Sequence, residues 1–209
     1  DQANIQTLSI NNEKGSLFAN QGLELNSQIF NNKDGKVQAL GAVYIQNTGE
    51  LNNLQGFIAA QQSIDLKTGQ LNNTQGTLYS EKNNIKIQAQ DHINNTSGII
   101  QANGNTDIHA KSLNNQHGQL LADDLNVQLK VQLDNTQGQM QAKKTLALAS
   151  QNLSNDQGQI SAEHIQLNQQ NQLMNSGTIY AEQHLNIKNN ETANQGLIGS
   201  GKDVSLFSG

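Results

Sequence analysis

One short motif recurs ten times along this chain, and it constrains the fold more than any other feature. An aliphatic residue or methionine stands two positions after the glycine of each copy, and alanine or serine stands four positions after it. The glycines are 19 to 22 residues apart, at Gly15, Gly35, Gly56, Gly76, Gly98, Gly118, Gly138, Gly158, Gly177 and Gly196. A period of about 20 residues is typical of a solenoid of stacked repeats. Each glycine indicates a backbone conformation or a close approach that a side chain would block.

An asparagine stands three positions before most of these glycines. The eight that do so are Asn12, Asn32, Asn53, Asn73, Asn95, Asn115, Asn135 and Asn155. In stacked repeats these side chains would lie above one another, and stacked amides can hydrogen-bond in a ladder. We therefore expect structural turn amides that accept left-handed backbone geometry and satisfy backbone groups; a ligand-binding amide row is the alternative. The last two repeats place the asparagine only two positions before the glycine, so we expect a different turn there.

The remainder of each repeat reads as strand. An alternating apolar pair, such as Leu146 and Leu148, gives the period-two signature of a half-buried strand, and no helical period competes with it. A leucine-rich repeat would need a Leu-x-x-Leu-x-Leu run, and a hexapeptide repeat would need an aliphatic residue every six positions. Neither fits, so the sequence predicts an all-β parallel β-helix of about ten coils with three short strands per coil. Because neither end carries a polar capping repeat, residues 1–209 are expected to be one repeat segment, a fragment of a longer shaft.

Composition excludes several classes of function. The 209 residues are 34% hydrophobic and 3% aromatic, which is too few for a conventional round core. The net charge is −5 and the 12 basic residues, all lysine, are scattered, so nucleic-acid binding has no electrostatic basis. No run of 18 apolar residues is present, so we expect no membrane span. The absence of cysteine excludes disulfides and thiolate chemistry.

Carboxylates are the residues that an enzyme on this fold would need. Polysaccharide lyases and hydrolases with β-helical folds require acidic residues clustered on successive coils. Asp65 and Asp107 share a repeat position but lie two coils apart, and the adjacent Asp123 and Asp124 would point to opposite faces of a strand. We therefore expect no enzymatic activity, no catalytic residue and no cofactor.

Two further groups of side chains are candidates for binding sites. His164 and His184 should stack one coil apart on the outer face near Glu163 and Glu182, which suggests either a surface zinc site or a solvated polar face. The solvated face is the expected outcome, so no metal site is predicted. Exposed aromatic rings can stack on sugars, but the outward Tyr79 and Tyr180 lie five coils apart; Tyr44 and the outward apolar residues are scattered, with Phe57 and Ile99 two coils apart.

The motif Asn-Asn-x-x-Gly-x-(aliphatic)-x-Ala, followed by an alternating Leu/Ile pair, resembles the repeats of the filamentous haemagglutinin family. These are large exoproteins that Gram-negative bacteria export by two-partner secretion, and the resemblance covers Ile10 to Leu206. It implies a right-handed β-helical shaft, secreted or displayed on the cell surface, in an adhesin or a contact-dependent growth inhibition toxin. It also implies an outer-membrane transporter as partner of the full-length protein. The Asn-Pro motifs of the family's secretion domain are absent, because the chain has no proline.

Two functions follow from these observations. The first is a structural shaft that presents a distal receptor-binding or toxic region. The second is a binding module whose own outer face recognises a host glycan or a receptor on a target cell. A contiguous exposed apolar or aromatic strip would favour the second function, and a featureless outer face would favour the first.

Overall fold

Parallel strands that wind into a solenoid make up the whole of residues 3–208, which are the residues that the computed structural model describes. The described part contains no helix and turns about ten times, so the predicted all-β parallel β-helix is confirmed. In chain order the strands are β1 Ala3–Gln6, β2 Ser9–Asn11, β3 Ser16–Ala19, β4 Leu23–Ser27, β5 Ile29–Asn31, β6 Lys36–Ala39, β7 Val43–Asn47, β8 Glu50–Asn52, β9 Phe57–Ala60, β10 Ile64–Thr68, β11 Gln70–Asn72, β12 Thr77–Ser80, β13 Ile85–Ala89, β14 His92–Asn94, β15 Ile99–Ala102, β16 Thr106–Asn114, β17 Gln119–Ala122, β18 Leu125–Asp134, β19 Gln139–Ala142, β20 Thr145–Asn155, β21 Gln159–Asn175, β22 Thr178–Asn189, β23 Glu191–Asn194, β24 Leu197–Ser200 and β25 Asp203–Ser208.

Each coil has three strand segments, which form three faces of the solenoid. The glycine face follows the repeat glycine and contains strands such as β9, β12 and β15. The alternating face carries the apolar pair and contains strands such as β7, β10 and β13. The asparagine face precedes the repeat asparagine and contains strands such as β8, β11 and β14. The five longest strands, β16, β18, β20, β21 and β22, each turn a corner between faces, and β21 contributes to all three.

Register between coils is parallel and places equivalent repeat positions in columns. On the glycine face Leu78 pairs with Ile58 below it and with Ile100 above it. On the asparagine face Leu113 pairs with Leu133. Because the side chains of a strand alternate between its two faces, a column that starts inward stays inward in every coil.

The core is the narrow lumen that these columns fill. The aliphatic position after the glycine is fully buried at Ile58, Leu78 and Ile100, and the small position two residues later is buried at Ala102. Alanine fits there because the wall bends at the end of the glycine face and leaves no room for a longer chain. Phe30 is the one fully buried aromatic side chain of the described residues and takes a place on the asparagine face that leucine or isoleucine holds in the other buried coils.

The last described coil exposes positions that are buried in the coils between it and the first one. Val204 and Leu206 are 46% and 64% exposed, although the residues with which they pair, Leu185 and Ile187, are buried. Within the described residues no coil covers this end, so apolar side chains and unpaired strand edges face outward together. Such an edge is a template for further strand pairing.

Candidate functional site

Stacked asparagine side chains form a continuous hydrogen-bonded column inside the turn that precedes the glycine face. Each Nδ2 donates to the Oδ1 of the equivalent asparagine one coil further on, at 2.7 to 2.8 Å. The same Nδ2 donates to the carbonyl oxygen of the glycine in its own turn, at 3.2 Å from Asn95 to Gly98. Asn95 and its neighbours in the ladder are fully buried. Burial of an amide destabilises the folded state unless its donor and acceptor are both paired. Because each amide is paired by those of the adjacent coils, the column is one structural element.

The ladder includes the eight asparagines singled out in the sequence and also continues beyond them. Asn155 donates to Asn175 at 2.7 Å, and Asn175 donates to Asn194 at 2.8 Å. The ladder therefore survives the shortening of the turn in the last two repeats. Its amides hydrogen-bond to one another and to backbone carbonyls. An amide row that binds a ligand would therefore have no free hydrogen-bonding groups here.

The repeat glycines are required by close approach. A Cβ added to Gly98 would overlap the carbonyl oxygen of Asn73 and lie 2.6 Å from Asn95 Oδ1 and 3.0 Å from Asn73 Nδ2. The other repeat glycines from Gly35 to Gly158 meet the equivalent groups of their own and the preceding coil, and Gly177 and Gly196 meet the backbone of the preceding glycine turn. None of the described glycines has a positive φ. The ladder and the glycine thus depend on each other, because the amide occupies the space that a side chain would need.

The left-handed residue of the turn is the one before the glycine, so the expectation that the asparagine takes this geometry was wrong. Its φ lies between 52° and 55° in the first eight coils, at Lys14, Asp34, Gln55, Gln75, Ser97, His117, Gln137 and Gln157. Left-handed geometry costs a non-glycine residue about 1–2 kcal/mol. A glycine at the left-handed position would remove this cost. The repeat glycine cannot be exchanged with that residue, however, because the position that it now occupies has no room for a side chain. No positive φ occurs in the shortened turns of the last two repeats, so the turn there differs from the others, as predicted.

A second column of polar residues, one position before the ladder, faces outward and caps the first seven turns. Asn94 Oδ1 accepts the backbone N–H of Thr96 at 3.1 Å. Asp134 holds this position two coils further on and accepts the N–H and the hydroxyl of Thr136 at 2.9 and 2.6 Å, as well as Gln116 Nε2 at 2.6 Å. Partial burial would raise the pKa of Asp134, but these three hydrogen bonds outweigh it and lower the pKa below its usual value.

The acidic residues do not converge. Lys86 lies between Asp65 and Asp107 in the register of the alternating face and separates the two carboxylates. Asp123 forms an ion pair with Lys143 at 2.7 Å, and this hydrogen-bonded contact lowers the pKa of the Asp123 carboxyl. Asp124 Oδ1 accepts the backbone N–H of Thr145 at 3.1 Å. These contacts are those of surface residues that support the coil to which they belong.

The two histidines do stack on the outer face. The ring centroids of His164 and His184 are 5.3 Å apart and the ring planes differ by 6°. His184 Nδ1 lies 3.0 Å from Asp203 Oδ2, and His164 Nε2 lies 3.7 Å from Glu163 Oε1. The two rings thus face different carboxylates, and no group of three potential metal ligands occurs among residues 3–208.

The aromatic residues of the glycine face are closer together than the sequence indicated. Phe18, Leu40, Phe57 and Tyr79 line one shallow depression of about 220 Å³ on coils one to four, with Ala59 at its centre. Sequence reasoning compared only residues at the same repeat position, so it paired Phe57 with Ile99, which the structure separates by Thr77. Reading across neighbouring outward positions of adjacent coils would have found the group. Tyr180 lies five coils away, 40% exposed.

A rod of parallel coils, with buried amides that satisfy one another and no converging catalytic groups among its described residues, defines a structural β-solenoid. Comparison with family models gives the family. The haemagglutinin repeat model matches residues 2–54, 41–95, 83–128 and 122–206, so the chain belongs to the haemagglutinin repeat family and the resemblance seen in the motif is confirmed.

Other comparisons add no closer relative. No curated protein and no solved structure matches the chain at a significant level. Among residues 3–208 there is no long apolar helix of the kind that spans a membrane.

Proposed function

We propose that these coils form part of the shaft of a large secreted exoprotein on the surface of a Gram-negative bacterium, an adhesin or a contact-dependent growth inhibition toxin. The shaft holds a distal receptor-binding or toxic region away from the cell. Its partner during export is the outer-membrane transporter of a two-partner secretion system. Membership of the haemagglutinin repeat family supports both proposals.

The observation that carries the proposal is the uniform stacking. Coil after coil pairs with the next on all three faces, and the asparagine ladder runs from Asn12 to Asn194 without a break. At a strand spacing of about 4.8 Å, ten such coils span about 48 Å. The length of the rod therefore depends on the number of repeats, which is the property that a spacer needs.

Removal of one coil tests the shaft. Deletion of residues 96–115 joins Asn95 to Gln116 and so keeps the asparagine-to-glycine register. The variant should keep its β spectrum and cooperative melting, and small-angle scattering should show a rod shorter by about 4.8 Å. The matched control, deletion of residues 96–105, removes half a coil and should unfold the neighbouring coils.

The same deletions in the full-length parent test the function. Successive in-register deletions should leave export to the cell surface unchanged and lower the activity of the distal region toward other cells as the shaft shortens. Activity that does not depend on the number of coils would refute a spacer role.

A binding module remains the second candidate, because the structure contains the kind of feature that favours it. The depression around Ala59 is a contiguous and partly exposed apolar patch in a chain that is only 3% aromatic. In this second proposal the outer face of the rod itself recognises a glycan or a receptor on a target cell.

A further inference from the structure

The depression on the glycine face joins three aromatic side chains that the repeat does not require. Its centre is Ala59, which pairs in register with Tyr79 one coil further on and with Gln38 one coil back. Phe57 lies two residues before Ala59 on the same strand, and both side chains face outward. Since the equivalent outward position holds glutamine at Gln38, Gln101 and Gln141, a small residue at 59 opens a notch that a typical coil would fill.

The rim of the notch is polar and has free hydrogen-bonding groups. Gln38, Gln61 and Glu81 line it, and their side chains form no hydrogen bond or ion pair with any other described residue. The lining contains two amides and one carboxylate but no lysine or histidine. A rim of this kind suits a neutral ligand rich in hydroxyl groups and disfavours an acidic one, which would be repelled by Glu81.

The dimensions are small for a protein partner. From Phe18 to Tyr79 is three coil spacings, about 14 Å, and from Phe57 to Gln61 is four residues, about 13 Å. The resulting footprint of about 190 Å² is about a quarter of the roughly 800 Å² that each partner contributes to a standard protein interface. The volume of about 220 Å³ also lies below the range of about 300–1,000 Å³ that is usual for drug-sized ligands. One ring of a small ligand fits this space.

We propose that this depression binds a single neutral pyranose ring of a glycan. The C–H face of the sugar packs against the aromatic side chains over Ala59, and the hydroxyl groups bond to Gln38, Gln61 and Glu81. The apolar centre and the polar rim match the two chemically different parts of a sugar. This inference rests on the second proposed function and gives it a site and a ligand class.

Saturation-transfer NMR on the 209-residue chain tests the site directly. The probes are methyl β-galactopyranoside and methyl α-mannopyranoside, with sodium glucuronate as the acidic comparator and toluene sulfonamide as an aromatic comparator without a sugar ring. Irradiation of aromatic protons should transfer to the ring protons of at least one neutral pyranoside. Tyr79→Ala should lower its affinity at least about fivefold, and so should Ala59→Gln, which fills the notch with the residue found in equivalent positions.

Tyr180→Ala is the matched control, since Tyr180 has the same repeat position on a distant coil. It should leave the sugar signal unchanged, and circular dichroism should show that all three variants are folded. The inference is overturned if neither pyranoside receives transfer at about 10 mM, if Tyr180→Ala loses the signal as Tyr79→Ala does, or if glucuronate or the sulfonamide binds as well as the neutral sugars.

A second measurement separates this inference from the binding function on which it rests. Adherence of the labelled chain to target cells should be lost with Ala59→Gln and competed by the neutral pyranoside. Adherence that persists in Ala59→Gln would place the binding function elsewhere on the rod and overturn the site. Absence of adherence by the unaltered chain would contradict the binding function itself, whatever the NMR experiment shows.

Discussion

The asparagine ladder can be tested by making one of its amides a carboxyl group of nearly the same shape. Asn95 accepts a hydrogen bond from Asn73 Nδ2 at 2.7 Å and donates to Asn115 Oδ1 at 2.7 Å and to the Gly98 carbonyl at 3.2 Å. In Asn95→Asp the ionised carboxylate can still accept, but it cannot donate. It also faces the Asn115 oxygen at hydrogen-bond distance.

The magnitude follows from the groups left without a partner. Asn115 Oδ1 loses its donor, at about 1–3 kcal/mol, whereas the Gly98 carbonyl still accepts the backbone N–H of Gln119 at 2.8 Å. The ionised variant should therefore lose about 1–3 kcal/mol of stability from this bond. A protonated carboxyl could donate to Asn115 and recover it. The protonated form is therefore favoured in the folded state, and the pKa of the new carboxyl should rise by about one unit for each 1.4 kcal/mol recovered.

The sign of the pH dependence follows from this raised pKa. Below the unfolded value of about 3.9 the carboxyl is protonated in both states and the penalty is smallest. As the pH rises from there toward the folded pKa, the folded state holds a proton that the unfolded state has released, so stability falls. Above the folded pKa the loss is complete and constant. Asn95→Asp should thus be more stable at pH 4 than at pH 7, relative to the unaltered chain.

Urea or thermal unfolding followed by far-UV circular dichroism between pH 4 and pH 7 measures this difference. Asn95→Ala should be destabilised at every pH, because it has no group to titrate. Asn186→Asp places a carboxyl at an exposed position and should change stability by less than about 0.5 kcal/mol. The reasoning fails if Asn95→Asp melts like Asn186→Asp at pH 7, or if its deficit does not shrink in acid.

Three other predictions concern the glycine, the lumen and the outer turn cap. Gly98→Ala should cost several kcal/mol because its Cβ meets the ladder, whereas Gly199→Ala, whose nearest neighbours are 3.7 Å away, should melt normally; equal melting temperatures would contradict close approach. Ile160→Asp buries an unpaired charge and should unfold adjacent coils, while its exposed neighbour tested as Gln159→Asp should not, as measured by circular dichroism. Asp134→Asn should reduce the acid sensitivity of unfolding, because a carboxyl with a lowered pKa contributes stability above about pH 3.9 and loses it as the pH falls through the folded value; an unchanged pH profile would contradict this.

Much of the fold could be predicted because every coil buries side chains at the same repeat positions. A column such as Ile58, Leu78 and Ile100 must be apolar along its whole length, so apolar residues recur in the sequence with the period of the coil. The asparagine ladder could be predicted for the same reason, since it too repeats. The alternating apolar pair predicts a strand in each coil from the local sequence alone.

The sequence by itself therefore determined the family, the number of coils and which residues face inward, since burial selects residue type position by position. Only the tertiary structure decided the features that depend on backbone geometry or on proximity between different repeat positions. The left-handed residue of the turn is lysine in one coil and glutamine or serine in others, because its side chain points to solvent and its backbone alone is constrained. The depression around Ala59 likewise combines Phe18, Phe57 and Tyr79 from three repeats, and only the stacking of coils brings them together.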